Sequence, residues 1–498
     1  AVQSPRGQEA REHREVRVLR LPDEVDPVDF VPEVRRKAVE AVEVDPQAFG
    51  SLRRRLATGV FWSLAGAVAV QLTGAVTSIF VARILGKDVF GDFGMVRNTI
   101  IMLGVFAGMG MGMTANKYIA EFRIRDPQRA GRILALCLVT SGAVSLLMTV
   151  GIFLSADWLA ARYLDAPQLG PLIRICAPLL LLNAINSVQA AGVSGLESFR
   201  QLSICNAINA IVLSVATIVG ALLSGIEGAV WGSLVAVVLA CVVLEVAAEL
   251  LRRKHGVPLV FRGMWQEHAA IVHFAFPSLL SGILYQPATW LVTAMLYTRT
   301  DGRGEVAIFN AASQWRGLVL FVPVAMGQVV LPILTNLWSS GSNRGYVRTL
   351  QVNSLASLLV GFAAALPLMI ASPWILATYG PGFAEGWLAM SLLAASAVMQ
   401  ATCNVFGLSL ARLGRMWWGF LLNLLWAVEL YFVSRLLLGY GAVGLAASFL
   451  IVYALHTLQV GVFTIYELKN KLLSGQPIPT EPTIENATTT GLADEGLT

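Results

Sequence analysis

The sequence predicts an all-α polytopic membrane protein with about 12 transmembrane helices, in two parallel-repeat six-helix lobes around a central cavity. Three observations carry that prediction. Of 498 residues, 56% are hydrophobic and 13% charged, with a mean hydropathy of +0.67; a soluble domain has about 25% charged residues. The apolar residues gather in stretches of roughly 20, the length that crosses a hydrocarbon core of about 30 Å. The two halves of the chain also match at one ungapped shift of 216 residues.

The elements follow in order. Residues 1–55 hold 11 of the 36 Lys+Arg and 11 of the 31 Asp+Glu. They have no apolar h-region, so they read as a charged cytoplasmic tail, helical at most near 33–43. Six spans then fall near 57–82, 94–116, 132–155, 171–194, 202–223 and 228–250, making a first lobe over 56–250. A cytoplasmic linker covers 251–269. A second lobe over 270–466 holds spans near 270–297, 306–337, 350–371, 386–410, 417–437 and 441–465, before a tail at 467–498. The stretch 306–337 is overlong and contains Pro323 and Pro332, so a kink is expected there.

Orientation follows from basic residues in the short loops. One side carries 19 Lys/Arg, including Arg53–Arg55, Arg129, Arg132 and Arg252–Lys254, and the other carries 6, including Arg83, Lys87 and Arg303. The richer side is the cytoplasmic one, which puts both termini there and the protein in the cell inner membrane. The repeat pairs Trp158 and Tyr163 with Trp374 and Tyr379, Gly170 with Gly386, and Gly225 and Gly228 with Gly441 and Gly444. With six spans per half the repeats are parallel, an arrangement that places a transporter's site between them near mid-membrane.

Several chemistries are not indicated. Cys137, Cys176, Cys205, Cys241 and Cys403 all lie in apolar stretches without a CxxC, as packing residues do. The five histidines have no metal-ligand spacing, and no nucleotide fingerprint is present. No metal, cofactor or nucleic-acid partner is therefore expected.

The informative residues are charges inside spans, which cost about 3 kcal/mol or more and mark functional positions. They are Arg97, Arg174 and Arg316. Arg97 and Arg174 stand near the outer ends of their spans, whereas Arg316 lies some ten residues in, roughly 15 Å deep. Asn310, Ser313, Gln314 and Arg316 share an arc of roughly 160° on one helix, expected to face an aqueous cavity. Asn183, Asn186 and Gln189 cluster in span 4. The expected cavity set is Arg316, Arg97, Arg174, Gln314, Asn310 and Asn186, with guanidinium groups suited to phosphate oxygens. Glu429, near the middle of span 11, is the expected ion-coupling carboxylate.

The run Arg83-Ile-Leu-Gly-Lys-Asp-Val-Phe-Gly-Asp-Phe-Gly-Met-Val-Arg97 resembles polysaccharide- and O-antigen-type (Wzx-like) flippases of the MOP exporter superfamily. So do Gly108-Met-Gly-Met-Gly-Met-Thr-Ala-Asn-Lys-Tyr118 and the linkers Gly225-Ile-Glu-Gly-Ala-Val and Gly439-Tyr-Gly-Ala-Val-Gly, within a resemblance covering about 52–466. It implies two lobes in a V, rocking alternating access and a polyprenyl-pyrophosphate-linked oligosaccharide as cargo. Membrane lipids and polysaccharide polymerase or ligase machinery are the other implied partners, and a non-enzymatic role in surface polysaccharide or lipopolysaccharide synthesis is the implied function. Two alternatives stay open. A MATE-type cation-coupled multidrug antiporter should carry a carboxylate in its first span, and 57–82 contains none. A membrane enzyme of glycan assembly needs a sizeable outer loop, and the longest, near 156–170 and 372–385, hold about 15 residues and no histidine.

Overall fold

The computed structural model describes residues 46–275, 279, 283–339, 343–412 and 416–474. The expectations for most of the two tails fall on residues 1–45 and 475–498, outside the described residues. All regular structure among the described residues is helical. In chain order the α-helices are α1 (Pro46–Leu85), α2 (Lys87–Gly108), α3 (Met111–Phe122), α4 (Pro127–Tyr163), α5 (Gly170–Cys176), α6 (Pro178–Gly195) and α7 (Phe199–His255). The second half supplies α8 (Tyr285–Tyr297), α9 (Gly302–Ser339), α10 (Asn343–Ala377), α11 (Trp387–Arg412), α12 (Met416–Leu437) and α13 (Gly441–Ser474). From Gly59 onward the described residues form one compact unit.

Among the described residues, eight stretches are long and apolar enough to cross a membrane. Two of them, Phe199–His255 with 57 residues and Trp417–Asn470 with 54, are far longer than one crossing needs. Each turns at a glycine. In α7 the turn is Gly225, at φ 60° and ψ −136°, a region closed to residues with a Cβ. Its two arms then pack backbone to backbone: a Cβ on Gly228 would stand 2.0 Å from the Gly220 carbonyl oxygen. Thr217 and Ser233 share a hydroxyl hydrogen bond of 3.2 Å across the arms. Between α12 and α13 the turn is Gly441, at φ 62° and ψ −139°, and a Cβ on Gly444 would meet the Leu437 carbonyl oxygen at 1.8 Å. Both glycine pairs are related by the 216-residue shift, so the repeat is written into backbone geometry as well as sequence. Gly225→Ala and Gly441→Ala should each cost about 1–3 kcal/mol, read as a fall in the detergent melting temperature; an unchanged melting temperature in both would contradict the turn geometry.

Other boundaries have local causes. Asp126 caps α4 by accepting from the Arg129 amide at 2.9 Å, with Pro127 in the first turn, where its missing N–H costs nothing. The stretch expected as one span at 94–116 is instead broken: Met109 and Gly110 are left-handed, at φ 43° and 68°, ending α2 and starting α3. Pro178 similarly divides α5 from α6. α9 runs from Gly302 to Ser339 as one helix through Pro323 and Pro332.

The largest core joins both halves at the end where α2 begins. Phe90 of α2 sits edge-on to Tyr379 and Phe383, with ring centroids 6.4 and 6.0 Å apart. At the opposite end, the linker's Glu267 is buried and accepts from Arg129 at 3.0 Å and Arg132 at 3.2 Å, tying the linker to α4. Large apolar side chains such as Leu147, Leu223 and Leu436 are more than 70% exposed, as a lipid-facing surface requires. The five cysteines are free thiols packed at least partly inside the fold.

Candidate functional site

A cavity of about 450 Å³ opens within the second half, among α8, α9, α11, α12 and α13. Its walls are aromatic, from Tyr285, Phe420, Trp426 and Tyr453, and amide-bearing, from Gln400, Asn404 and Asn423, with His456 beside them. Among the described residues no Asp, Glu, Lys or Arg lines it. Tyr285 stacks on Trp426 at 5.6 Å and 19°, and Trp426 leans on Tyr453 at 5.5 Å, so these walls are braced against one another.

Arg316 of α9 stands directly behind that wall and is 8% exposed. Its Nη1 donates to the Tyr285 hydroxyl at 3.0 Å, and its Nη2 donates to Gln400 Oε1. The guanidinium carbon lies 5.3 Å from the Tyr453 ring centre and 5.5 Å from that of Phe449. Nε has no partner, and among the described residues no carboxylate forms an ion pair with Arg316. Cation–π contacts of about 0.5–2 kcal/mol and charge-assisted hydrogen bonds of about 1.5–3 kcal/mol replace its water. They leave its charge uncancelled among the described residues, one side chain away from a cavity whose described lining is uncharged.

The other expected residues do not gather round Arg316. Asn310 and Gln314 lie on the α9 face turned to the first half. Asn310 Oδ1 accepts from Asn98 Nδ2 of α2 at 3.0 Å, and the backbone carbonyl of Gln314 accepts from Gln71 Nε2 of α1 at 2.8 Å. The expectation of one aqueous arc on α9 is therefore corrected: Gln314 and Arg316 are the two ends of that arc, about 160° apart, and neighbours on opposite sides take one each. Arg97 of α2 is exposed, and it is its neighbour Asn98, about 100° round the helix, that meets α9. Arg174 of α5 is spent locally, on Asp157 and on the Phe153 carbonyl at 3.3 Å, so the expected convergence of three arginines is not found. Asn186 of α6 stays within the first half, its Nδ2 3.8 Å from Cys241 Sγ of α7. Beside it Gln189 donates to Glu245 at 2.7 Å, and Arg252 pairs with Glu245 and Glu249 at 2.7 Å each. Glu429 of α12 accepts from Gln459 Nε2 of α13.

Sequence reasoning missed Tyr285, Gln400, Tyr453 and His456. The available signals were the pair Gln400/Asn404, four apart in an apolar stretch, and Tyr453/His456, three apart on another. Neither signal says which helix faces which.

The seam itself closes on a charged contact. Asp92 of α2, 4% exposed, accepts from Arg303 Nε at 2.8 Å and again from its Nη2, and from the Tyr297 hydroxyl at 2.6 Å. Asp92 holds the Arg303 guanidinium above its ordinary pKa. Gly91 lets the strands of contact close, since a Cβ there would stand 1.9 Å from the Arg303 carbonyl oxygen. Further along, Trp290 Nε1 donates to the Thr99 hydroxyl at 2.9 Å.

The profile of the family described as "Polysaccharide biosynthesis protein" matches residues 56–338. The chain belongs to that family. Among its relatives is the EPS I polysaccharide export inner membrane protein EpsE of Ralstonia nicotianae, 27% identical over 76% of this chain and 88% of that one. The Lipid III flippase of Escherichia coli K12 is 26% identical over 62% of this chain and 73% of the relative. In fold, this polysaccharide biosynthesis protein is similar to an inward-facing multidrug resistance MATE transporter of the MOP superfamily, with a TM-score of 0.66, 17% identity, and coverage of 80% of this chain and 95% of that one. A MOP superfamily transporter from Pyrococcus furiosus described as having a binding pocket of reverse polarity matches with a TM-score of 0.63 at 14% identity, over 83% and 95% of the two chains. The expected resemblance to polysaccharide-type MOP proteins is borne out, and this family member is a polytopic transporter-fold membrane protein of polysaccharide biosynthesis.

Proposed function

We propose that the protein is an inner-membrane flippase that moves a polyprenyl-pyrophosphate-linked oligosaccharide from the inner to the outer leaflet by alternating access. The observation that carries this reading is Arg316, a buried cation held by aromatic rings, the Tyr285 hydroxyl and the Gln400 amide, with no ion-paired carboxylate among the described residues, behind a cavity whose described lining is uncharged. An anionic headgroup entering a low-dielectric path gains from such a charge, whereas a cationic drug is repelled by it. The exposed Arg97 of α2 offers a second contact for phosphate oxygens. Gln314 and Asn310 hold the seam rather than the cargo in the state described. In this reading Arg174 and Asn186 act on the first lobe's packing.

Alternating access is supported by the Asp92–Arg303–Tyr297 contact and the aromatic core around Phe90, which join the lobes 56–250 and 270–466 at one end. Rocking requires such a contact to break and re-form. The basic loops make the sealed end the outer one, with both termini cytoplasmic. Reporter fusions at Gly170 and Gly302 should read outside and a fusion at Gly256 inside; reversal of any one would redraw the topology. Polymerase or ligase machinery would receive the flipped product.

The deciding measurement is transfer of a fluorescent polyprenyl-pyrophosphate-linked sugar across the bilayer of reconstituted proteoliposomes. Transfer that exceeds that of protein-free vesicles supports the reading. Equal rates in the two, with protein correctly inserted, would remove it.

A further inference from the structure

The cavity of the second half carries a chemistry that the first half lacks. The 216-residue shift puts Ala69 at the place of Tyr285, Ala184 at Gln400 and Val188 at Asn404. It puts Ala207 at Asn423, Ala210 at Trp426 and Ala240 at His456. All six counterparts are small and apolar, and all lie on helices of the first half. The scaffold is thus built twice, down to its turn glycines, and this polar and aromatic lining only once. One lobe packs without these side chains, so packing is not what calls for them in the other.

The lining also has unmet hydrogen-bonding capacity. Trp426 is 4% exposed and His456 5%, and both line the cavity. Among the described residues, Trp426 Nε1 and His456 Nδ1 are buried and without a partner. The indole N–H can only donate. Asn404 and Asn423 keep both ends of their amides free among the described residues. Gln400 gives its Oε1 to Arg316 and keeps its Nε2 to donate. A guest that matches this lining must accept from the indole and both donate to and accept from the amides. A metal ion or an ammonium group cannot accept, and a hydrocarbon chain does neither. No Asp, Glu, Lys or Arg among the described lining residues offers an ion-pair partner. Hydroxyl groups both donate and accept. A pyranose carries several of them on a ring whose C–H faces suit the aromatic walls at Tyr285, Phe420 and Trp426. The volume of about 450 Å³ is that of a small-molecule site.

We infer that this cavity is a binding site for a neutral pyranose sugar, held by the second lobe alone. Tyr285, Trp426 and Phe420 supply the apolar walls, and Gln400, Asn404 and Asn423 the hydrogen bonds. Tyr285 is twelve residues from Tyr297 along α8, about 18 Å, so the site lies well to the linker side of the contact that closes the seam. Arg316 stands behind the wall, so its charge and the hydroxyl-binding groups are adjacent but separate. That the sugar belongs to the cargo rests on the transporter reading given above; sugar binding itself does not.

Two measurements on the full chain separate these points. The first is saturation-transfer NMR in detergent with methyl pyranosides of glucose, galactose, mannose, rhamnose and N-acetylglucosamine. The methyl glycosides of glucuronate and glucosamine serve as charged probes. At least one neutral pyranoside should give a signal in wild type. Asn423→Ala should reduce it about fivefold or more, the worth of one or two hydrogen bonds. The first lobe already carries Ala207 at that place, so this variant should fold. Gly407→Met should abolish the signal. Gly407 lines the cavity and a Cβ there meets no atom within 4 Å, so the longer side chain takes up open space without displacing a neighbour. No signal from any neutral pyranoside, or the same signal in wild type and Gly407→Met, overturns the site. Equal signals from charged and neutral probes overturn its preference for neutral sugars.

The second measurement is flipping in proteoliposomes of bare polyprenyl pyrophosphate and of the same lipid carrying the pyranose that gave the signal. The ratio of glycosylated to bare lipid flipped should fall about fivefold or more in Asn423→Ala and in Gly407→Met. A ratio unchanged in both variants overturns the place of this site in the cargo path and leaves the transporter reading intact. A wild type that flips neither lipid, yet keeps the signal that Gly407→Met removes, overturns the transporter reading and leaves the sugar site standing.

Discussion

Arg316→Ala should lower flipping of a pyrophosphate-linked sugar by about 100-fold or more. Across one intervening side chain, about 7 Å at an effective dielectric of about 20, a unit charge gains about 2 kcal/mol from the guanidinium. A headgroup with two negative charges gains about twice that, and each 1.4 kcal/mol is about tenfold in rate. The truncation also strips Tyr285 and Gln400 of their donor, so a structural loss must be separated from an electrostatic one. Arg316→Gln does this, since it keeps a hydrogen-bonding amide in the cage without the charge. It should be nearly as inactive as Arg316→Ala, at a melting temperature closer to wild type. Arg316→Lys keeps the charge, but a point ammonium cannot serve Tyr285 and Gln400 as the planar fork does, so partial activity is expected. Arg316→Gln flipping at the wild-type rate would end the proposed role.

Arg303→Ala should open the sealed end. It leaves Asp92 buried with only the Tyr297 hydroxyl, and breaking one partner of a buried pair costs about 3–5 kcal/mol. The Arg303 side chain is 44% exposed, so water screens part of that cost. A shift of about 2 kcal/mol, roughly 30-fold in the balance of closed and open states, is expected. Spin labels at the exposed positions Gln168 and Glu385, one in each half and both near the sealed core, should report a longer distance population in the variant. Asp92→Asn should shift the balance less, because the amide keeps the Tyr297 contact. The double exchange Asp92→Arg with Arg303→Asp should recover part of the closed population. A distance distribution unchanged by Arg303→Ala would show that the aromatic core around Phe90 holds the end shut without the ion pair.

Much of this protein was legible before its structure. The spans follow from apolar length, because lipid leaves the backbone no partner but itself. The turns at Gly225 and Gly441 follow from the 216-residue repeat and from glycines at both positions. Arg316 was visible as the deepest basic residue, because depth along a helix is a matter of counting residues. The break at Met109–Gly110 was not visible. The Gly-Met alternation there fits a continuous apolar helix, and the left-handed pair is stable where Gly110 closes on the Ala275 backbone, at 2.6 Å from its carbonyl oxygen to an ideal Cβ.

The sequence by itself determined the class of the fold, its duplication and the presence of an isolated charge at membrane depth. Only the tertiary structure decided what each polar residue faces. A helical repeat fixes angles about a helix's own axis, which is why Asn310, Gln314 and Arg316 could be put on one arc. It does not fix the rotation of that helix against its neighbours. In these spans nearly every face is apolar, so hydrophobic pattern does not select the rotation, and close packing and a few interhelical hydrogen bonds do. Contact with α1 and α2 took Asn310 and Gln314 into the seam, while α8, α11 and α13 enclosed Arg316. Asp92 and Arg303 are 211 residues apart, and they meet only because the two halves close on each other.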